Sequence, residues 1–415
     1  MKLGLKHLLL TSAVAGILAP VASAQDNPFV RGRHVAVTER GQPEFDPEPV
    51  RAGGFDVISS LGLSGEYNDN VYGQFTNEVD DTIIRVRPQV EARSNWSVHA
   101  LRGGASADHR EYSSESSETT TDYNIFADGR LDATRNFQLT ANASAGQLTE
   151  PRYEPSGQGT PEPAQNRYIA AEVGATFRSD RVALLGQAGT RENNYKYFYS
   201  QRASTENFVS ARVSYAISPA IAVFGDVRQT DMDYEQNASI RNSTRTNIRG
   251  GLNFELSAPF RGEISAGQVI ENRDFPGLED VRAWSLDALL LWFPTQLTTV
   301  TFRGFAGITD PGIPESLSAN TDRYSMRVDH ELFRNLLLYG EAGFGTYDFN
   351  AFPWFPTFER NDDFTDVLVG AAYKLNKHAH IEVGYQVHSR ETTGAPSIAG
   401  DLDQNIFNVG LRLFP

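Results

Sequence analysis

The stretch Asp122–Ala133 reads DYNIFADGRLDA, and its alternation decides the fold. Tyr123, Ile125, Ala127, Gly129, Leu131 and Ala133 take the odd positions, while Asp122, Asn124, Asp128, Arg130 and Asp132 stand between them, Phe126 being the one apolar exception. A period of two sends alternate side chains to opposite faces of a strand, so this segment carries one apolar and one polar face. About nine to eleven residues suffice for a strand to cross a bilayer at a tilt. The same partition returns in Phe137, Leu139, Ala141, Ala143, Ala145; in Ile248, Gly250, Leu252, Phe254, Leu256; in Tyr324, Met326, Val328; and in Ile381, Val383, Tyr385, Val387, each set interleaved with polar neighbours.

Outward from that segment, the connections alternate between tight and long. Tight ones centre on Ser94-Asn95, Arg135-Asn136, Ser179-Asp180, Ser218-Pro219, Ala258-Pro259, Pro294-Thr295, Arg334-Asn335 and Asn376-Lys377. Between them lie Asn68–Asp81, Ser113–Thr120, Glu150–Gln165, Glu192–Thr205, Asp231–Ile240, Glu271–Val281, Asp310–Ala319, Phe349–Asp362 and Glu391–Leu402. Short periplasmic turns and long outer loops are the asymmetry of a transmembrane β-barrel, and the segments number about eighteen, with sixteen to eighteen as the range. Phe137, Phe177, Tyr215, Phe254, Phe260, Trp292 and Tyr373 fall near the short-turn rim on the apolar face, and Tyr67, Tyr123, Trp284 and Tyr324 near the other. Two such girdles are expected where amphipathic rings sit at headgroup level.

The chain begins with Lys2 and Lys6, an apolar run Leu8–Leu18 and Ala22-Ser23-Ala24, which predicts a secretory leader over 1–24. Residues 25–54 carry Pro43, Pro47 and Pro49 without a sustained period and read as a periplasmic tail or lumen plug; 55–415 is the barrel. No later apolar run reaches the roughly twenty residues of a membrane helix, so insertion requires a closed barrel. The absence of cysteine removes disulfides, thiolate metal ligands and a thiol nucleophile. The formal charge of −15 becomes about −17 once the leader's two lysines are gone, which argues against nucleic acid as a partner.

The final segment, Asn408, Val409, Gly410, Leu411, Arg412, Leu413, Phe414 and Pro415, resembles the C-terminal recognition strand of outer-membrane proteins. Asn408, Gly410, Leu411, Leu413 and Phe414 occupy its places, with Pro415 as a departure. The barrel's opening is more specific. Pro43-Glu44-Phe45-Asp46-Pro47, Arg51-Ala52-Gly53-Gly54-Phe55, Glu66-Tyr67-Asn68-Asp69-Asn70-Val71-Tyr72, Arg87-Pro88, Ser94-Asn95-Trp96-Ser97 and His99-Ala100-Leu101 resemble the start of a β-barrel porin family often met in surface-polysaccharide gene neighbourhoods. The likeness covers the first third of the barrel. It implies an outer-membrane barrel concerned with exopolysaccharide or small-solute passage, and it brings no catalytic residues.

The alternation aims a mixed set of charges at the lumen: Arg85, Arg87, Arg178, Arg212, Arg228, Arg245, Arg249, Arg261, Arg303, Arg323, Arg327 and Arg412, against Glu91, Asp128, Glu172, Asp226, Asp287, Asp329 and Glu341. Such charges either set a transverse field that selects solutes or simply brace the inner wall in pairs. With only five lysines in the chain, arginine's planar fork does most of this work. The loop holding Phe352, Trp354, Phe355 and Phe358 offers aromatic faces to sugar rings, or packs on the rim, which is the simpler reading. His378, His380 and Glu382 share a strand face at metal-permitting spacing, but a wet rim explains them and no metal is expected. Asn68-Asp69-Asn70 with Asp80-Asp81 suits a divalent ion among lipopolysaccharide phosphates, and turn formation accounts for it equally.

No cofactor or catalytic motif is present, His388 being an isolated candidate base. The expectation is therefore an outer-membrane channel for hydrophilic solutes, with saccharides or exported polysaccharide as candidate cargo and outer-membrane lipid, lipopolysaccharide and the barrel-assembly machinery as partners. An outer-membrane hydrolase and a structural surface barrel are the alternatives.

Overall fold

A computed structural model describes residues 35–415 except 159, 257–258, 354, 356–357 and 395–399. The expected leader, the first part of the expected tail and Trp354 thus lie outside the described residues. A short strand β1 (Val50–Ala52) precedes eighteen long ones: β2 (Phe55–Asn68), β3 (Asp81–Ser94), β4 (Ala100–Tyr112), β5 (Thr120–Asp132), β6 (Phe137–Thr149), β7 (Gln165–Arg178), β8 (Val182–Tyr195), β9 (Ser204–Ser218) and β10 (Ile221–Tyr234). They continue as β11 (Ser243–Glu255), β12 (Phe260–Arg273), β13 (Val281–Thr295), β14 (Thr298–Thr309), β15 (Ser316–Phe333), β16 (Leu336–Ala351), β17 (Asn361–Asn376), β18 (Ala379–Thr393) and β19 (Leu402–Leu413). Each pairs antiparallel with its chain neighbours, and β19 pairs with β2 from Ile406↔Asn68 to Leu413↔Leu61. The sheet is therefore a closed eighteen-strand barrel, whose strands are paired all the way round so that no open sheet edge faces lipid.

Sidedness follows the alternation. On β5, Tyr123, Ile125 and Ala127 are exposed on the outer wall while Asp122 is buried and Asn124 and Asp128 are half-buried inside. Here the barrel inverts the usual order of a globular protein: the apolar residues are on the outside, where lipid covers them, and the polar ones are crowded inside. Ile169 and Val173 on β7, Val209 and Val213 on β9 and Phe344 on β16 extend that exposed apolar band. Trp284, with 74 % of its surface exposed, is among its outermost aromatics.

The crossing strands run from 12 to 18 residues, longer than the bilayer requires, so their ends project beyond it on the long-loop side. Several strands, β8, β10, β12, β16 and β18 among them, run a few residues into the predicted loops, and two further boundaries differ. The turn expected at Pro294-Thr295 falls at Gln296–Leu297, because the β13–β14 ladder jumps from Trp292 to Thr295 around a proline that has no N–H to give. Likewise β15 begins at Ser316, inside the predicted loop Asp310–Ala319, where Ser316, Ser318 and Asn320 alternate with Leu317 and Ala319.

Candidate functional site: a divided lumen

Most of the predicted inward arginines are committed to neighbours on the wall. Arg85 bridges Glu66 at 3.0 Å and Asp108, while Arg249 bridges Asp226 at 3.1 Å and Asp287 at 3.3 Å. Arg327 joins Asp329 at 3.0 Å to Glu341 at 3.4 Å, with Arg303 a further 3.8 Å from Glu341. Arg212 meets Glu263 at 2.8 Å, Arg245 meets Glu271 at 2.7 Å and Arg412 meets Glu382 at 3.4 Å. Asp128 holds Arg102 at 2.7 Å. Cross-strand pairing of this kind braces the wall and cancels much of the field that unpaired charges would set. Arg87 and Arg228 differ: among the described residues neither has a carboxylate at ion-pair distance. Arg228 lies over the Phe208 ring, its guanidinium carbon 3.6 Å from the centroid.

The bore is then crossed by the loop between β6 and β7. Its near end is tied to its own side, where Arg202 donates to both carboxylate oxygens of Glu150 at 2.8 and 2.9 Å and the Tyr195 hydroxyl donates to Glu150 at 2.9 Å. Arg152 is fully enclosed, giving two bonds to Glu118 at 2.9 and 2.6 Å and three more to Gly157 and Thr160. The far end reaches the opposite wall. Tyr347 on β16 donates to Glu154 at 2.9 Å, Arg390 on β18 donates to the Tyr153 carbonyl at 2.7 Å, and the Tyr153 ring stacks on His388 with centroids 3.8 Å apart. From β6 to β16 is ten strand positions of eighteen, so the loop spans close to a diameter. Burial holds the Tyr153 hydroxyl well above the usual phenol range, so it stays a neutral donor.

Two glycines permit the close approach. Gly73, at φ +60°, sits where an added Cβ would come 2.4 Å from the Arg152 carbonyl, and Gly312, at φ +69°, where one would come 2.6 Å from Ser156 and from the Arg202 guanidinium. The loop around Gly312 adds a further brace: Asp310 accepts from Arg241 at 2.9 Å. Burial alone would raise the Asp310 pKa, but Arg241 and Arg202 outweigh it and hold it below the ordinary carboxylate range.

The periplasmic end is crossed by the tail. Val37 N–H donates to Thr299 on β14 at 2.9 Å, Arg261 on β12 donates to Glu39 at 3.0 Å, and Arg40 pairs with Glu331 on β15 at 3.3 Å. Lys374 donates to Gln42 and to Asp46, both at 2.8 Å, before β1 turns at Gly53 to pair with β2. Beneath the β6–β7 loop lies a recess lined by polar groups, among them Glu66, Asn68, Arg87, Tyr112, Glu382, Gln386 and Asn408, with Arg152 and Tyr153 on its loop side.

Other expected sites resolve differently. Phe352 and Phe358 are buried, Phe358 in a cluster with Ile313, Ala319, Tyr347, Phe349 and Phe364, so they have no free face for a sugar; this corrects the stacking reading for both, and among the described residues of that set Phe355 is the exposed one. Aromatic burial at the outer rim is the physical reason. His380 is occupied by the Phe45 carbonyl at 3.0 Å and His378 by the Pro415 carbonyl at 3.0 Å. Asp81 caps the Ser114 and Glu115 amides, and Asp69 holds Asn405, as turn formation requires. His388 contacts Asp366 at 2.5 Å and Gln386 at 2.6 Å beneath Tyr153. Asn408 and Gly410 line the recess, Leu411 and Leu413 face outward, and Phe414 turns in against His380 with centroids 4.8 Å apart. Arg152, Tyr153 and Glu154 were not singled out by sequence. Their one signal is a charged and aromatic triplet between Pro151 and Pro155, within the longest of the loops.

Comparison with known proteins adds the family. Among solved structures the chain is similar to the outer membrane protein OpdK from Pseudomonas aeruginosa, at 13 % identity over 87 % of this chain and 99 % of that one, with a TM-score of 0.48. It is similar to a BenF-like porin from Pseudomonas fluorescens Pf-5 at 10 % identity over 86 % and 99 %, TM-score 0.48. No curated protein matches the chain. The model of the family described as "Putative beta-barrel porin 2" matches residues 42–414. A closed eighteen-strand wall with lipid-facing apolar rows, a polar lumen and that match across nearly the whole barrel lead to one conclusion: the chain belongs to this family of outer-membrane β-barrel porins.

Proposed function

We propose that this porin is a narrow, selective channel for small hydrophilic solutes, saccharides among them, rather than a wide diffusion pore or a polymer exporter. The observation that carries the reading is the Glu150–Gln165 loop, bonded to both sides of the lumen through Arg152–Glu118 on one side and Glu154–Tyr347 on the other. Eighteen strands enclose a wide bore, and a chord across it divides that bore into smaller passages. A strand of linked sugars would have to displace the chord. Small saccharides need only exchange water for the amides and hydroxyls of the recess, where Asn68, Asn408, Gln386 and Tyr112 supply donors and acceptors. His388 supports a channel over a hydrolase: its ring nitrogens are engaged by Asp366 and Gln386, and its face is covered by Tyr153.

The tail favours a second closure at the periplasmic end, held by Glu39, Arg40 and Asp46. Planar-bilayer recording of the refolded full chain and of a variant lacking residues 35–48 tests both parts. The expected result is a small ohmic conductance in the full chain, reduced by sugars that enter, and a larger one in the deletion. Absence of conductance in both proteins would overturn the channel reading.

A further inference from the structure

We infer that Arg87 is a binding group for the carboxylate of an anionic solute, so that acidic sugars or other small carboxylates are preferred cargo; this deepens the channel reading and rests on it. The inference starts from register. Arg412 on β19, Gly62 on β2 and Arg87 on β3 form one row across three strands, and Gly410, Ser64 and Arg85 form the next row. All three arginines belong to inward-facing positions, so three guanidinium groups gather on one patch of wall.

Two of the three have carboxylate partners. Arg85 is held between Glu66 and Asp108, and Arg412 by Glu382. Arg87 has only the Ser64 hydroxyl at 3.4 Å, and its buried Nε lacks any partner. Burial and the neighbouring cations raise the cost of that charge, and Glu382 and Asp108 offset it only from a distance, without an ion pair. The glycines explain why the spot stays open. A Cβ at Gly410 would lie 3.8 Å from an Arg87 terminal nitrogen, and one at Gly62 would meet the Arg87 stem at 3.4 Å, so at both positions a longer side chain would fill the space beside the guanidinium. Arg87 lines the recess below the crossing loop, where a solute that passed the loop would arrive.

A planar guanidinium with free N–H groups matches a carboxylate in a two-bond geometry, which a hydroxyl alone does not. With an overall charge of −15, attraction for an anion has to come from local groups such as this one and not from the net field. Arg228 and Arg191, inward arginines that likewise have no carboxylate at ion-pair distance among the described residues, stand seven and five strand positions away on β10 and β8 and are engaged by the Phe208 ring and by Asn193 with the Tyr168 ring, so they are weaker candidates.

The test uses the full-length protein refolded in detergent micelles, with glucuronate, glucose and acetate as probes and saturation-transfer NMR as a binding readout independent of conduction. Glucuronate should bind more tightly than glucose. Arg87→Gln should weaken glucuronate by about tenfold and leave glucose within about twofold, and Arg87→Lys, which keeps the charge but loses the fork, should fall between. Acetate binding lost in Arg87→Gln would assign the site to any carboxylate, and acetate failing where glucuronate succeeds would assign it to acidic sugars; both support the inference. Equal affinity for glucuronate and glucose in the wild type, or unchanged glucuronate affinity in Arg87→Gln, overturns it. If Arg87→Gln does not refold, Arg87→Lys against wild type decides. Conductance without sugar, measured in parallel, judges the channel separately.

Discussion

Replacing Arg152 with alanine would test whether the crossing loop sets the size of the passage. The guanidinium donates five bonds, two of them to Glu118, and the pair is enclosed, with side-chain exposures of 6 % and 2 %. Among the described residues Arg152 alone bonds the Glu118 carboxylate, so Arg152→Ala strands that carboxylate out of water as well as freeing the loop's near end. Breaking a buried pair on one side costs about 3–5 kcal/mol. Charged to the closed arrangement of the loop alone, that shifts the closed-to-open ratio by roughly a hundredfold to several thousandfold. The barrel ladder does not pass through either residue, so thermal unfolding of the barrel should change little. Single-channel recording in lipid bilayers is the assay: the variant should show higher mean conductance and frequent transitions, because the far end remains tied to Tyr347 and Arg390. The paired replacement Glu118→Leu with Arg152→Met removes the stranded charge and should lie closer to wild type. Arg152→Ala traces indistinguishable from wild type in conductance and noise would refute the argument.

The remaining predictions follow from sidedness, from charge and from the tail. Ile125→Arg places a charge on the lipid face near the middle of β5 and should cost about 2–4 kcal/mol in reversible denaturant unfolding from vesicles. Asn142→Arg, one strand over and facing inward beside Asp128 and Glu172, should cost far less; equal losses would contradict the assigned faces. Asp310, held below the ordinary carboxylate range, contributes stability at pH above its unfolded value near 3.8, and that contribution fades as pH falls through the lower folded value. Channel noise should therefore rise in that acid window, and Asp310→Asn should show the noisy behaviour already at neutral pH. Lys374→Ala removes the tail's bonds at Gln42 and Asp46 and should raise conductance in the direction of the 35–48 deletion, though by less, because Glu39 and Arg40 still hold.

What the sequence determined by itself was the wall. A period of two, sustained through Tyr123–Ala133 and its counterparts, can be satisfied only if alternate residues meet different solvents, and the turn asymmetry then counts the strands. It also named the inward arginines, because facing is a local property of position along a strand. Which of them are free was decided only in three dimensions. Arg85 and Arg87 are two residues apart with the same facing, yet Arg85 finds Asp108 on the next strand, and Arg87 finds Gly62 and Gly410 where a partner would have stood. The crossing loop was equally out of reach of local pattern: Arg152, Tyr153 and Glu154 have no periodicity, and their partners Glu118, His388 and Tyr347 lie 34 to 235 residues away in the chain. Alternation reports which medium a side chain faces, whereas occupancy of the lumen depends on which distant segments closure of the barrel brings within bonding distance.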